Sequence, residues 1–348
     1  MIHQKRLEQS AKYSLTVAIL FRNNFEHLDF CLGSVKQTFQ ELKLDVEVLV
    51  SCNPINKEIK YIFAEFMKQR FPDFAFLIHE SSLSYDAHLE KILLAAKGEY
   101  IKFLAEDDWL PGHGIHRLSH IISSEKPSAL VTNFKFFSSD LSKIFQEEWF
   151  DSEVSSKREA KVLNTVQDLS QINFAYGQVS SLTFKTSELR RFKLKNLDTD
   201  HLQVFWFLEC MSKGNAIATD EVLVHVRQGS PNFVQTRHQP LLTPLKALNA
   251  ISMARSLTPL MRMRLLLKQG LYLLQVITAF PSLERPQRDE VKHQYRKYWL
   301  HYPFLLTVHV LLIQLPLRMW RFFSIIRRIL IGSKRFLSSL TSLSQHGK

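Results

Sequence analysis

The sequence predicts an α/β fold in which helices flank a mostly parallel central sheet, with an α-helical extension at the C-terminus. Apolar, β-branched runs alternate with segments whose apolar residues recur at helical spacing, and polar clusters follow the apolar runs directly. Such alternation is typical of parallel sheets, whose strands are buried on both faces. The 348 residues and the 45% hydrophobic content are enough for a large core, which excludes a disordered protein.

The N-terminal part of the chain repeats strand and helix signals. Nearly continuous apolar runs predict strands over residues 15–21, 46–50, 74–78 and 100–104. Helical spacing of apolar residues predicts helices over residues 25–39, 59–70 and 83–97. In a parallel sheet built from such units, ligands bind outside the carboxyl ends of the strands.

The middle and the end of the chain differ in their predicted elements. Shorter strands are expected over residues 129–137, 179–185 and 222–227, with a helix over 201–211 and a loop-rich polar segment over 138–171. Strand signals fade from residue 241 onward, where helices are predicted over 244–255 and 259–280. The C-terminal region is therefore expected to be helical.

Three consecutive acids, Glu106, Asp107 and Asp108, directly follow the strand at residues 100–104. Crowded like charges raise one another's pKa and cost stability unless a cation or hydrogen-bond donors compensate. Carboxylate oxygens suit Mg²⁺ or Mn²⁺, and these ions bridge phosphate oxygens. The alternative interpretation is a solvated acidic turn, which Pro111 and Gly112 would support.

Polar clusters also follow the first two predicted strands, at residues 22–24 and 51–53. Because parallel strands end at the same edge of a sheet, these clusters and the three acids are expected to converge there. The sequence therefore predicts one polar site at the carboxyl edge of the sheet.

The positive charge is concentrated in the C-terminal third. Residues 241–348 contain 17 Lys and Arg against 3 Asp and Glu, and residues 303–348 contain 7 Lys and Arg and no acid. The apolar stretch at 304–317 is too short to span a bilayer, which needs about 20 residues. Aromatic and cationic residues alternate beyond it, which is typical of an interfacial helix on anionic lipid; the alternative is a helical subdomain with a solvated basic face. Nucleic acid is not expected as a partner, since no groove-reading motif accompanies the charge.

Cysteine usage and the N-terminus indicate a reducing compartment. The three cysteines, an odd number without C-x-x-C spacing, argue against a disulfide framework or a zinc cluster. The first apolar stretch is short and lacks a cleavage site, so we interpret it as a strand and not as a signal peptide.

These segments resemble the family 2 inverting glycosyltransferases, which have a GT-A, Rossmann-like fold. The resemblance covers about residues 13–230 and is carried by residues 15–24, by Ser51-Cys52-Asn53-Pro54, and by the block from Ala95 to Leu104 that runs into the acids. It implies a glycosyltransferase domain over residues 1–235, with a nucleotide-sugar half at about 13–112 and an acceptor half at about 113–235. Residues 236–348 would form a basic, membrane-associating helical region.

The resemblance also implies a donor site. The residues expected to bind the nucleotide sugar, with a UDP-sugar favoured, are Phe21, Arg22, Asn23, Cys52, Asn53 and Asp107. Asp108 and Glu106 are expected to hold Mn²⁺ or Mg²⁺, which would stabilise the negative charge growing on a diphosphate leaving group. The segment His225-Val226-Arg227 lies where family members often carry a basic residue near the phosphates.

Two residues depart from the family pattern. Cys52 stands where many relatives carry an Asp that contacts the base, so the nucleotide is left open and Asn53 is a substitute. Glu106, the first acid of the usual D-x-D, is one methylene longer than Asp. These departures motivate an alternative interpretation, a non-catalytic glycosyltransferase-like scaffold or partner subunit at the membrane.

The resemblance implies that Asp200 is the general base that deprotonates the acceptor hydroxyl, with Asp198 as the alternative. A different interpretation is that one of these acids caps the helix that begins near residue 201. The expected activity is transfer of a sugar, with inversion, to a saccharide or lipid-linked saccharide in bacterial surface polysaccharide or lipopolysaccharide biosynthesis. The expected location is the cytoplasmic face of the cell membrane. A nucleotidyltransferase ranks lower because residues 22–24 contain no glycine.

Overall fold

The computed structural model describes residues 12–42, 45–138, 143–145, 161–163, 168–169, 172, 175–192, 199–227, 239–276, 284–300 and 302. The strands within these ranges are β1 (Tyr13–Phe21), β2 (Val46–Cys52), β3 (Ala75–Ile78), β4 (Gly98–Ala105), β5 (Ala129–Phe137), β6 (Ile144–Phe145), β7 (Lys161–Leu163), β8 (Leu182–Lys185) and β9 (Ala216–Arg227). The α-helices are α1 (Phe25–Leu42), α2 (Lys57–Arg70), α3 (Tyr85–Ala95), α4 (Gly112–Glu125), α5 (Thr186–Arg190), α6 (Leu202–Ser212), α7 (Gln239–Met253), α8 (Pro259–Val276) and α9 (Arg285–Trp299).

The strands form one mixed sheet in the order β3-β2-β1-β4-β8-β5-β9-β7, and β6 pairs with β5 at the side. Strands β1 to β4 are parallel, β5 and β9 are parallel, and β8 runs antiparallel to both β4 and β5. The predicted α/β fold with a Rossmann-like central sheet is confirmed. The parallel half carries the three polar clusters at its carboxyl ends, as the repeated strand and helix signals predict.

The segment predicted as a strand over residues 179–185 is a strand only in its second half. Val179–Ser181 forms a 3₁₀ turn, and β8 begins at Leu182. The turn exists because Ser180 and Ser181 make local and cross-strand hydrogen bonds: the Ser181 hydroxyl donates to Gln178 O (2.7 Å), and the Ser180 hydroxyl accepts from Ala105 N (3.0 Å). This turn therefore lies directly beside the end of β4.

Gly98 at the start of β4 allows β1 and β4 to approach closely. A Cβ atom at this position would lie 2.3 Å from Thr16 N and 2.6 Å from Leu15 C. The Gly98 N–H also donates to the Thr16 hydroxyl (2.8 Å), and its carbonyl accepts from the Thr186 hydroxyl (2.8 Å). The backbone on both sides is thus already in contact.

We expect Gly98→Ala to lower the free energy of unfolding by about 2 kcal/mol, since the added methyl must push two paired strands apart. Chemical denaturation measures this loss. Gly33→Ala, in the interior of α1, is the control: a Cβ there meets nothing within 4 Å, and Ala favours the helix more than Gly does. Equal stabilities of the two variants would contradict the close-approach argument.

The chain divides into two compact units, residues 1–234 with 249–265 and residues 235–248 with 266–348. The predicted domain boundary at residue 235 stays a prediction.

In the second unit, α9 begins with a capping box in which Glu284 N donates to the Gln287 side chain (3.1 Å), and Val291 and Tyr295 are buried. None of the described helices is both long enough and apolar enough to cross a bilayer. The aromatic and cationic residues of 303–348 lie outside the described residues.

Candidate active site

Glu106 fastens the loop after β1 to the end of β4. Its carboxylate accepts hydrogen bonds from the backbone N–H groups of Arg22 (2.7 Å), Asn23 and Asn24. Burial raises the pKa of Glu106 to about 7, with a further increase from Asp107, while the hydrogen bonds from the loop lower it. This buried acid therefore orders the loop that is predicted to bind the nucleotide, and its role as a metal ligand stays a prediction.

Asp108 is buried beneath the same edge. Its carboxylate accepts hydrogen bonds from Arg227 N (3.1 Å) and from Gln178 Nε2 (3.3 Å), and the Ser180 hydroxyl also bonds to it. Burial raises the pKa of Asp108 to about 8 and Asp107 raises it further, whereas these hydrogen bonds and Lys102 lower it. The arrangement ties the end of β4 to the end of β9.

Lys102 is the fully buried cation behind Asp108. It lies in the middle of β4, and its ammonium group donates to the carbonyl oxygen of Ser180. Burial lowers the pKa of Lys102 to about 7, and Asp108 opposes that decrease. Since a buried charge is costly unless it is compensated, Lys102 and Asp108 stabilise each other.

Asp107 is the acid that solvent reaches. Its side chain is half-buried, and its carbonyl oxygen accepts a hydrogen bond from Arg227 Nε (3.2 Å). The Arg227 guanidinium packs over the rings of Phe30 (5.8 Å to the centroid) and Phe137 (5.2 Å). Burial lowers the pKa of Arg227, and the negative charges of Asp107 and Asp108 raise it. The buried Arg227 guanidinium therefore lies close enough to the Asp107 carboxylate for their charges to interact.

The other predicted nucleotide residues contribute mainly to the framework. Phe21 is buried and stacks on Phe63, with ring centroids 5.1 Å apart. Cys52 is also buried, and burial raises the pKa of its thiol to about 12. The Asn53 side chain bonds to both backbone groups of Leu83, accepting from its N–H (2.7 Å) and donating to its carbonyl (3.0 Å). Their contacts with a nucleotide remain predictions.

Two buried histidines near Arg22 share the Ser51 hydroxyl, and we call these three side chains the floor of the site. Ser51 Oγ lies 3.0 Å from His79 Nε2 and 2.9 Å from His88 Nε2. Burial lowers the pKa of His88 to about 3, helped by His79 and Arg22, and burial also lowers the pKa of His79. Both rings are therefore neutral at pH 7, and the floor carries no charge of its own. Arg22 itself is exposed.

Asp86, in the first turn of α3, holds the predicted catalytic loop. Its buried carboxylate accepts hydrogen bonds from Thr199 N (2.7 Å), the Thr199 hydroxyl (3.0 Å) and Leu202 N (3.2 Å). Burial raises the pKa of Asp86, and these hydrogen bonds lower it. Asp200 lies within this loop with φ +47°, a left-handed conformation that Asp tolerates better than most residues. The conformation of this loop is thus fixed by hydrogen bonds to Asp86 of α3.

The structure separates the two interpretations of Asp200. The N-cap of α6 is His201, and its side chain makes no capping hydrogen bond; the first N–H of the helix bonds to Asp86 instead. The N-cap position is thus occupied by His201 and not by Asp200, and the role of Asp200 as a base stays a prediction. Asp198 lies outside the described residues.

Sequence reasoning missed the residues that support the site: Lys102, Gln178, Ser180 and Asp86. Only Lys102 left a signal, a lysine inside an otherwise apolar strand. The others became visible through partners far along the chain. The alternative of a solvated acidic turn is not what the structure shows for Glu106 and Asp108, because both are buried and hydrogen-bonded.

The acids suit a metal ion that shares its ligands with a phosphate. Within the described part of the chain, no group of three or more His, Cys, Asp or Glu side chains is placed to hold a metal ion by itself. Asp107 and Asp108 repel each other, since Asp107 raises the pKa of Asp108, and Lys102 offsets part of that increase. Mg²⁺ in phosphate sites takes only one or two carboxylates from the protein. The residues present therefore fit a cation bound together with a diphosphate.

Comparison with known proteins identifies the fold. No protein-family model matches the sequence, and the comparison with curated proteins found no match. Among solved structures, S. aureus TarS 1–349 is 12% identical with a TM-score of 0.58, covering 82% of this chain and 80% of that chain. The complex of TarS 1–349 with UDP-GlcNAc is 12% identical with a TM-score of 0.56 and the same coverage, 82% and 80%. The mannosyltransferase PcManGT from Pyrobaculum calidifontis, in complex with GDP-Man and Mn²⁺, is 12% identical with a TM-score of 0.52, covering 89% of this chain and 92% of that chain. The chain therefore has the Rossmann-like α/β fold found in glycosyltransferases.

Proposed function

We propose that this protein transfers a sugar from a nucleoside diphosphate sugar to a saccharide acceptor, with inversion at the anomeric carbon. The observation that carries the proposal is the half-buried Asp107 carboxylate at the carboxyl end of β4, next to the Arg227 guanidinium that bonds to the Asp107 carbonyl. The fold supports it, because structures with this fold bind UDP-GlcNAc or GDP-Man with Mn²⁺. Such edges are where open α/β sheets bind ligands.

In the proposed donor complex, Arg22 and Asp107 face the nucleotide beside the loop that Glu106 orders, and Asp108 together with Glu106 would hold Mn²⁺ or Mg²⁺. When bound, the ion neutralises negative charge on the diphosphate. Arg227 adds a positive charge on the same side, held by two aromatic rings. A UDP-sugar is the favoured donor, and the neutral floor at Ser51 and His79 is compatible with an uncharged base.

In the proposed reaction, Asp200 takes the proton of the acceptor hydroxyl. The hydroxyl oxygen bonds to the anomeric carbon while the bond from that carbon to the diphosphate oxygen breaks, which inverts the configuration. Asp86 acts as a positioning residue because it holds the loop around Asp200. Asp198 is the alternative base.

The donor proposal is tested by thermal shift with UDP, GDP, CDP and dTDP, each with and without Mn²⁺. We expect one nucleotide to raise the melting temperature only in the presence of the metal, since a ligand that binds the native state stabilises it. Asp107→Asn should abolish this shift, whereas Asp73→Asn, at an exposed acid after α2, should keep it. A flat panel from folded protein would favour the non-catalytic scaffold instead.

We also propose that the protein works at the cytoplasmic face of the membrane, on a lipid-linked acceptor of surface polysaccharide synthesis. One described surface supports membrane contact. Leu260 (52% exposed) and Met263 (53%) lie in the first part of α8, and Arg255 and Arg264 are exposed nearby. Residues 241–283 contain no acid. Exposed apolar residues next to cations are typical of helices that lie on anionic lipid.

We expect the 348-residue protein to sediment with phosphatidylcholine vesicles that contain phosphatidylglycerol and not with vesicles of phosphatidylcholine alone. High salt should weaken the binding, because it screens the attraction to the anionic surface. The double variant Leu260→Asp with Met263→Asp should stay in the supernatant. Leu94→Asp is the matched control, since Leu94 is 57% exposed on a different helix, α3. Equal binding of both variants would remove α8 from the contact.

A further inference from the structure

A groove of about 550 Å³ runs between α1 and the segment that follows the acids. This volume lies in the range of small-molecule sites. The groove is lined by Phe30, Gly33, Ser34, Gln37 and Thr38 from α1 and by Trp109, Pro111 and Gly112 from the other side. None of the predicted donor residues belongs to the lining.

We call this the α1–α4 groove, since Gly112 is the first residue of α4. It adjoins the candidate active site through two aromatic residues. Trp109 directly follows Asp108, and Phe30 lies under the Arg227 guanidinium. Their rings meet edge to face, with centroids 5.6 Å apart. Trp109 is also fixed in the backbone, because its N–H and carbonyl both pair with His225 (2.9 and 2.8 Å). The groove therefore has rigid aromatic walls at the end that faces the acids.

The lining carries no ionisable side chain, although the chain as a whole has a net charge of +12. The polar groups come from Ser34, Gln37 and Thr38. The Ser34 side chain is half-buried and its hydroxyl donates to Cys31 O (2.7 Å), so its single proton is used and its oxygen can still accept; the Thr38 hydroxyl donates to Ser34 O (3.0 Å) and is buried. The Ser34 oxygen can therefore accept a hydrogen bond from a sugar hydroxyl.

This combination separates ligand classes. A phosphate or a nucleotide would find no cation in the lining, and a lipid chain would desolvate the hydroxyl and amide groups without a hydrogen bond in return. A neutral sugar has apolar C–H faces that pack on aromatic rings and hydroxyl groups that bond to the helix. We infer that the α1–α4 groove binds a neutral saccharide, the part of the acceptor beyond the sugar that reacts. This inference rests on the proposed function for its link to transfer, but the binding site stands on the groove itself.

Gly33 provides a direct way to close the groove. It is exposed on α1 within the lining, and a Cβ there meets nothing within 4 Å, so a large side chain can enter the open space without displacing the backbone. Gly33→Trp fills the groove. Gly33→Ala changes the same position, keeps the helix, and leaves most of the space open.

The test is isothermal titration of the full-length protein and both variants with two neutral tetrasaccharides, chitotetraose and maltotetraose, and with tetragalacturonic acid as the charged control. We expect at least one neutral tetrasaccharide to bind the wild type and Gly33→Ala with equal affinity. The same tetrasaccharide should bind Gly33→Trp at least about tenfold more weakly, a difference of about 1.4 kcal/mol in binding free energy. Tetragalacturonic acid should bind none of the three proteins. The inference is overturned if neither neutral tetrasaccharide binds, if Gly33→Trp binds like Gly33→Ala, or if the acid binds equally well. The nucleotide panel is run in parallel: a flat panel with saccharide binding intact would remove the transferase proposal and leave the saccharide site.

Discussion

Replacing Lys102 by Met is expected to lower the free energy of unfolding of the metal-free protein by about 3 kcal/mol at pH 9, because it leaves the buried Asp108 carboxylate without the cation that lowers its pKa. Lys102 is fully buried, it donates to Ser180 O, and its charge lowers the pKa of buried Asp108. Met has a similar length but no charge. Asp108 would then be left in a buried site with its repulsion from Asp107 and without the nearby cation.

The pH dependence of this loss follows from the sign of the Asp108 shift. The folded-state pKa of Asp108 is raised to about 8, so the folded state binds more protons than the unfolded state below that pH. Stability contributed by Asp108 is therefore lost as the pH rises toward about 8. Without Lys102 that pKa rises further, so the deficit of Lys102→Met should grow from pH 6 to pH 9.

A double-mutant cycle separates this coupling from simple loss of packing. In Lys102→Met with Asp108→Asn, the amide oxygen can still accept from Arg227 N, and no charge is buried. We expect the double variant to be more stable than Lys102→Met alone, with a coupling of about 1 to 2 kcal/mol measured by urea denaturation in EDTA. Lys185→Met, at a half-buried lysine paired with Glu99 (3.6 Å), is the control and should change stability little. Additive losses would disprove the coupling.

Asp86→Ala is expected to have the second large effect, on turnover as well as on stability. The carboxylate accepts three hydrogen bonds from Thr199 and Leu202, so its removal leaves two buried N–H groups without this acceptor. The loss of stability should be about 3 kcal/mol. The loop that contains Asp200, the proposed base, would also lose the hydrogen bonds that fix it, and a shift of about 1 Å in a catalytic group typically costs about 100-fold in rate.

This prediction distinguishes positioning of the base from binding of the donor. With the donor identified by the nucleotide panel, we expect kcat to fall about 100-fold in Asp86→Ala while the metal-dependent thermal shift keeps its size. Asp86→Asn, which retains one accepting oxygen, should lie between the two. Glu90→Ala, one turn further along α3, is the control for the helix. Unchanged turnover in Asp86→Ala would contradict the proposal that this loop positions Asp200. Loss of the metal-dependent thermal shift would instead indicate that Asp86 supports binding of the donor.

The parallel half of the sheet was predictable because its signals are local. β1 and β4 are continuous apolar runs, and the acids follow β4 directly in the sequence. The antiparallel insertion of β8 between β4 and β5 was not predictable, since strand direction depends on how Ser180 and Ser181 bond to distant strands. For the same reason the start of that strand was placed three residues too early.

The candidate site shows the same division at the level of single side chains. The sequence by itself determined that Glu106, Asp107 and Asp108 end a strand beside the loop at Arg22, because periodicity and chain order suffice for that. Only the tertiary structure decided that Glu106 and Asp108 turn inward while Asp107 remains half-buried at the edge. Glu106 turns inward because it bonds to Arg22, 84 residues away, and Asp108 because it bonds to Gln178 and Arg227, 70 and 119 residues away. Contacts between residues so far apart in the chain cannot be predicted from local sequence patterns.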